Sequence, residues 1–557
     1  MLTGNRIFAI VLLACGLPLL AQQAVSIDVD LGTSRGEWNP AWAFFGYDEP
    51  NYTYTQNGRK LLGALAGASP TPVYIRTHNL LTSGDGTASL KWGSTNAYVE
   101  DAAGHPVYNW SILDRIFDTF QQTGVRPLVE IGFMPEALST HPEPYRHTFP
   151  HGSLWTGWAY PPKDYQAWAE LIYQWVHHCM DRYSAREVEN WYWEVWNEPD
   201  IGYWQGTPEE YYKLYDFAAG AVKRALPAAQ IGGPHCTGPA ASQAGNFLRG
   251  FLEHVLHGKN FATGKMGSPL DYVGFHAKGN PLMVDGHVEM GIRNQARNIS
   301  SGFEIVASFP ELNNKPIIIG ESDPEGCAAC SAKMNPQNAY RNGPLYASYT
   351  AAMFYQTLEL AARHKVRLTG AATWAFEFED QPWFEGFRTL ATNGVSKPVL
   401  NLFRMLGMLN GERVATSSNG AVSTSDLLEA GVRSQPDINA LAAKAQSRAA
   451  VLVWNYHDDD VEATPSSVKL RVPRLPAEVG AVLLRHYRID NQHSNAFAAW
   501  KKMGAPQMPT SVQYAELEAA GQLTLLESPH WMRTSGGAVE INFELPRQAV
   551  SLLELEW

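Results

Sequence analysis

Apolar positions along this chain fall into two alternating rhythms. Short continuous apolar runs, each bounded by Gly, Pro or Asn, occur at residues 73–77 (VYIRT), 127–133 (PLVEIGF), 191–196, 231–233, 272–276, 317–320 and 368–376, with a first near 42–46. Between them the spacing turns helical. Leu113, Ile116, Phe117 and Phe120 share one face of residues 112–123. Trp168, Leu171, Ile172, Trp175, Val176 and Cys179 share one face of 164–180, and similar patterns fill 211–224 and 345–363. Runs of the first kind read as buried parallel strands and stretches of the second as amphipathic helices. Eight strand–helix units predict an α/β fold, a (β/α)8 TIM barrel. A doubly wound open sheet is the alternative, but no Gly-rich phosphate loop follows the first strand.

Past residue 410 the rhythm changes. Strands at 450–455, 468–472, 481–487, 523–526, 539–545 and 550–555 follow without long helices between them, which predicts an accessory β-sandwich. The alternating segment 25–31 (VSIDVDL) is an isolated strand that completes it. The expected organisation is a signal peptide at 1–21, an N-terminal strand of the accessory domain within 22–40, the catalytic barrel at 41–410 and the sandwich at 411–557.

The leader prediction rests on Arg6 followed by an apolar stretch at 7–20, too short to span a bilayer comfortably. Cleavage near Ala21 or Ala24 gives a secreted or periplasmic protein. The alternative is a lipid anchor at Cys15, preceded by Leu12-Leu13-Ala14, at the cell envelope. A formal net charge of −12 argues against nucleic acid and against an anionic membrane surface as partners. Cys327-x-x-Cys330 has no second CxxC to complete a zinc site, so it reads as a loop disulfide or two thiols, and Cys179 reads as core. The 17 His show no HExxH-type spacing, and no metal or cofactor is implied.

Two segments carry chemistry. Trp191-Tyr-Trp-Glu-Val-Trp-Asn197-Glu198-Pro199 and Ile317-Ile-Ile-Gly320-Glu321-Ser-Asp-Pro324 each end an apolar strand with a Glu and a proline turn. Side chains at the C-terminal ends of barrel strands face the active site. Two carboxyls across a barrel mouth are what glycoside hydrolysis requires. A gap of roughly 5–5.5 Å gives retention of configuration, and a wider one inversion. Asn197, beside the acid, is placed to hydrogen-bond a sugar hydroxyl. The plain alternative is a pair of rim charges matched by Arg.

These segments, with Tyr74-Ile-Arg-Thr-His78, Arg126-Pro-Leu-Val-Glu-Ile-Gly-Phe-Met-Pro135, Pro161-Pro-Lys-Asp-Tyr-Gln-Ala-Trp168 and Arg485-His-Tyr-Arg-Ile-Asp490 through Trp500, resemble glycoside hydrolase family 39, the family of β-xylosidases and α-L-iduronidases. The resemblance implies a retaining glycosidase with Glu198 as acid/base and Glu321 as nucleophile. It also implies contact of His78, Phe133, Asn197 and His276 with the sugar. The plainer alternatives, to which contact is preferred, are structural histidines and a core Phe133. Lys278-Gly279 after His276, and Arg388, resemble iduronidase positions that face a sugar carboxylate. The segment Trp374-Ala-Phe-Glu-Phe-Glu379-Asp380 is similar instead to the aromatic and acidic segment of the xylosidases, and its Glu377, Glu379 and Asp380 are candidate partners for Lys278. The resulting expectation is an exo-acting β-xylosidase on xylo-oligosaccharides. A uronate-cleaving or other exo-glycosidase is the alternative, and a non-catalytic carbohydrate-binding barrel the alternative of another class. The resemblance further implies assembly of copies through the accessory domain.

Overall fold

The computed structural model describes residues 24–149 and 152–557. The predicted leader at 1–21, including Cys15, lies outside the described residues.

Eight parallel strands form one sheet: β1 (Phe44–Tyr47), β2 (Tyr74–Thr77), β3 (Arg126–Ile131), β4 (Tyr192–Val195), β5 (Gln230–Cys236), β6 (Tyr272–Lys278), β7 (Pro316–Asp323) and β8 (Arg367–Ala371). They pair strictly in sequence order. The seam between β8 and β1 closes through the Phe45–Thr373 bridge and through Gly46 N–H donating to the Thr373 carbonyl at 3.0 Å, so the sheet is a barrel.

A helix follows each strand: α1 (Gln56–Ala68), α2 (Ser111–Thr123), α3 (Tyr165–Tyr183), α4 (Pro208–Ala225), α5 (Ser242–His257), α6 (Ile292–Ala307), α7 (Pro344–His364) and α8 (Pro398–Gly407). Local chemistry marks their ends. Asp164 caps α3 by accepting from the backbone of Gln166 and Ala167. Thr207 and Glu210 form a reciprocal capping box on α4, with Pro208 in its first turn. Gly124 ends α2 in the left-handed region at φ 79°. The apolar stripes of the helices lie against the barrel in one continuous core; Trp168, Trp175 and Cys179 of α3 are buried there.

After α8 the chain enters the accessory domain. Its ten strands form one sheet, and the N-terminal strand Val25–Glu37 lies inside it, antiparallel to Glu412–Ser418 and parallel to Ser466–Val472. Val482 and Leu484 near one end of the sheet share an apolar cluster with Val539 and Ile541 at the other end. The sheet therefore folds over on itself as two layers. Strands at Asp437–Ala445 and His530–Arg533, and helices at Ala496–Lys502 and Ser511–Ala520, add to the expected set. Those two helices carry Trp500 and Tyr514 onto Phe384 and Trp383 of the loop after β8. Ser348 of α7 also donates to the Gln548 side chain at 3.0 Å, so the accessory domain braces the barrel from outside.

Candidate active site

At the C-terminal end of β4 the backbone leaves the sheet. Trp196 N–H still donates to the Ile131 carbonyl of β3, whereas Glu198 N–H donates to the His235 carbonyl of β5. Crossing from one neighbour to the other puts Trp196 and Glu198 in the left-handed region, at φ 74° and 44°. Non-glycine residues rarely adopt that conformation, and such strain gathers at functional sites. It aims Glu198 over the barrel mouth.

Glu321 stands on β7 opposite His276 of β6, and Lys278 pairs with Asp323 two residues on. One oxygen of Glu198, one of Glu321 and a ring nitrogen of His276 all lie within 4.8 Å of one another. The two glutamates open into a cavity of about 280 Å³ whose walls include Asp48, His78, Lys91, Asn197, Tyr203 and Cys327.

The glutamates have opposite proton affinities. Burial and the negative charge of Glu321 raise Glu198 to about 7. Burial opposes ionisation of Glu321 too, but Lys278, His276, His78 and Arg76 outweigh it and hold that carboxyl well below the usual range. Lys278 Nζ lies 2.6 Å from Glu321 Oε2, and Arg76 Nη1 donates to Oε1 at 3.0 Å. His276 is held neutral, chiefly by burial, with Nδ1 2.9 Å from Glu198 Oε1. One carboxylate kept ionised beside one that holds its proton near neutrality is the division of labour of a nucleophile and an acid.

Beneath the cavity Arg76 is a hub. It donates to Glu194 (2.6 Å), Glu321 and the Asn197 side-chain oxygen (3.0 Å), and lies 3.5 Å from Glu130. Its grip fixes the Asn197 amide plane.

The glycosyl hydrolases family 39 profile matches residues 68–537. The chain belongs to that family. It is a glycosidase. It is 26% identical over 505 residues to a β-xylosidase of Geobacillus stearothermophilus, covering 87% of this chain and 86% of that protein. It is 23% identical over 442 residues to an α-L-iduronidase of Mus musculus, covering 74% of this chain and 63% of that one. The solved family 39 enzyme of Xanthomonas axonopodis pv. citri superposes with a TM-score of 0.74 at 24% identity, covering 97% of this chain and 99% of that one.

Within this family 39 site, His78, Asn197, Glu198 and Glu321, all named from the sequence, line the cavity. Other expected contacts sit behind it. Phe133 is buried against Trp196 and Tyr203 and supports the wall. His276 is fully buried and reaches the two carboxylates. Trp374 lies 1% exposed under the Arg76 guanidinium and against His78, with Nε1 donating to Asp48.

Three expectations are corrected. Arg388 does not face the cavity: it is fully buried, paired with Glu325, 3.6 Å from Asp323, and donating to the Trp374 carbonyl at 2.9 Å. Glu379 turns away, accepting from Asn57 N–H at the start of α1. Lys278 pairs with Glu321 and with Asp323 at 2.8 Å, not with the acids after β8; Glu377 is instead buried on Gly394 N–H. The Cys327-x-x-Cys330 pair is a disulfide.

Sequence reasoning missed Asp48, Lys91, Tyr203 and Cys327 as cavity walls. It quoted Arg76 and Glu130 only within matching segments. Strand-end position was a signal for Asp48; nothing local marked Lys91.

Proposed function

We propose that this enzyme is a retaining, exo-acting β-xylosidase that releases xylose from non-reducing ends of xylo-oligosaccharides by double displacement. The observation that carries the mechanism is the close approach of Glu198 and Glu321 with opposed protonation. A gap of this order leaves no room for a water between carboxylate and sugar, and so favours the retaining route. Glu321 attacks the anomeric carbon while Glu198 gives its proton to the departing oxygen. A glycosyl–enzyme ester forms on Glu321. Glu198, now ionised, takes a proton from water, which attacks the same carbon and frees Glu321. Two inversions leave net retention. Asn197, fixed by Arg76, donates to a sugar hydroxyl beside the reacting carbon.

The size of the cavity supports exo action: about 280 Å³ lies at the small end of the roughly 300–1,000 Å³ of ligand pockets and suits a short terminal unit more than a stretch of chain. The ion pairing of the cations supports a neutral sugar. Both groups that resemble uronate-binding positions are already engaged, Lys278 by Glu321 and Asp323 and Arg388 by Glu325. The name of the Geobacillus stearothermophilus relative points the same way. We also propose export through the 1–21 leader, a reading supported by the disulfide, which belongs to oxidising compartments.

The test is a parallel assay of the purified enzyme on aryl β-D-xyloside and aryl α-L-iduronide, with proton NMR of the first sugar anomer released. The proposal expects xyloside cleavage with β-xylose appearing first. Iduronide cleavage without xyloside cleavage, falling steeply in Lys278→Tyr, would replace the substrate; α-xylose first would replace the mechanism.

A further inference from the structure

Asp48, at the end of β1, and Lys91, on the loop after β2, form an ion pair in the cavity wall, each only 7% exposed. A buried ion pair is weak evidence for stability, because desolvating both charges offsets their attraction. This one also has elaborate support. Asn51 donates to the Ser94 carbonyl and accepts from Ser94 N–H, both at 2.9 Å, which pins the Lys91 loop onto the segment after β1. Gly93 permits the approach: a Cβ there would meet a Pro50 ring carbon at 2.2 Å. Glu49 accepts from Lys91 N–H at 2.7 Å, and Lys91 itself takes the left-handed φ of 57°. On the other side His78 Nδ1 and Trp374 Nε1 lie 2.8 and 3.2 Å from Asp48 Oδ1 and fix the carboxylate.

The position relative to the reacting pair gives the pair a task. The other nitrogen of His78, Nε2, lies 3.4 Å from Glu321 Oε1. Asp48 therefore stands on the far side of the His78 imidazole from the nucleophile, and Asp48, Lys91 and Glu321 line the same cavity. A sugar with its anomeric carbon at Glu321 would thus have Asp48 and Lys91 in the wall around it. A carboxylate accepts and an ammonium donates, so the two together match a pair of neighbouring hydroxyls. The acids after β8 do not supply such groups here, since Glu377 and Glu379 are turned away.

Resting on the reading of Glu198 and Glu321 as the cleaving pair, we propose that Asp48 and Lys91 are specificity-determining residues that hold the 3- and 4-hydroxyls of the terminal sugar and close the cavity behind it. A site built to hydrogen-bond a hydroxyl discriminates strongly against the analogue that lacks it.

The experiment crosses enzyme variants with substrates: wild type, Lys91→Met and Asp48→Asn, each on aryl β-xyloside and its 3-deoxy and 4-deoxy analogues. Wild type is expected to lose at least about 10-fold in kcat/KM on a deoxy substrate. Lys91→Met is expected to lose about 10–100-fold on the parent and less than about 3-fold on the analogue missing its hydroxyl partner. A residue that merely shapes the loop costs the same factor on all three substrates, and that result overturns the proposal. Equal turnover of the three by wild type overturns it without any variant, should Lys91→Met and Asp48→Asn melt early. If wild type spares aryl β-xyloside but cleaves another glycoside, the β-xylosidase reading has failed. The same crossing then runs on deoxy analogues of the sugar that is cleaved, where identical criteria apply.

Discussion

Replacing Glu321 by Gln removes the charge that helps keep Glu198 protonated while preserving shape. Unit charges 4.8 Å apart interact by about 0.9 kcal/mol at a dielectric of about 80 and about 3.5 kcal/mol at about 20. At about 1.4 kcal/mol per pKa unit these limits bracket roughly 0.6–2.5 units. Burial is the larger cause of the rise to about 7, so Glu321 supplies the lesser part, and its removal should lower Glu198 by about one unit. Lys278, His78 and Arg76 all favour the ionised form of Glu198 and would then be less neutralised by neighbouring acids, which pushes the same way. The assay is a carbon-13 NMR titration of glutamate-labelled Glu321→Gln, with Glu198→Gln identifying the resonance. A 2-fluoroxylosyl group trapped on Glu321 neutralises the same charge and should reproduce the fall. In the proposed double displacement, this fall turns Glu198 from acid in the first step into base in the second. An unchanged or raised Glu198 pKa in both samples would refute the reasoning.

In the wild type, kcat/KM should fall as pH rises through about 7, because the acid must carry its proton; the limb should vanish in Glu198→Ala. Glu198→Ala should lose about 10²–10⁴-fold on substrates with poor leaving groups, and on activated aryl glycosides, where breakdown of the glycosyl–enzyme ester limits the rate, it should be accelerated by azide to give the glycosyl azide of retained configuration, whereas Glu321→Gly with azide should give the inverted glycosyl azide. Arg388→Met should destabilise by about 1–3 kcal/mol in a thermal or denaturant melt, since it removes one charged partner from Glu325, which keeps Arg341, and from Asp323, which keeps Lys278, and leaves the Trp374 carbonyl without its donor; a variant of normal stability with altered preference between xyloside and iduronide would restore a substrate contact. Cys327→Ser with Cys330→Ser should cost only about 2 kcal/mol by loop-closure entropy, yet raise KM, because Cys327 walls the cavity.

What was legible in the chain divides along physical lines. The barrel strands came through because burial on both faces writes them as unbroken apolar runs, and the helices because one face alone is buried. In the accessory domain Asp437–Ala445 (DINALAAKA) went unread: alanine has little strand propensity, and the segment is held by pairing on both sides, to Glu412–Ser418 and to Arg448–Tyr456. Glu198 and Glu321 were legible because each ends a strand at a proline turn. The fate of Arg388 was not, since the sequence cannot say whether a guanidinium in a matching position meets a ligand or meets Glu325, which is itself on the loop leaving β7.

The same limit explains the mixture of xylosidase-like and iduronidase-like positions. Lys278 sits two residues after His276 on β6, and strand periodicity puts both on one face, opposite Glu321 and Asp323 of β7. A lysine so placed is neutralised by the protein's own carboxylates before any substrate arrives, and it lowers the proton affinity of Glu321 in doing so. Its chemistry here is directed at the nucleophile rather than at a sugar acid. On the β-xylosidase reading, discrimination among neutral sugars then has to come from elsewhere in the wall. Asp48 and Lys91 are 43 residues apart, on different loops, and meet only because Gly93 lets one loop lie against Pro50. No local pattern encodes such a pair; it exists only once the barrel has closed.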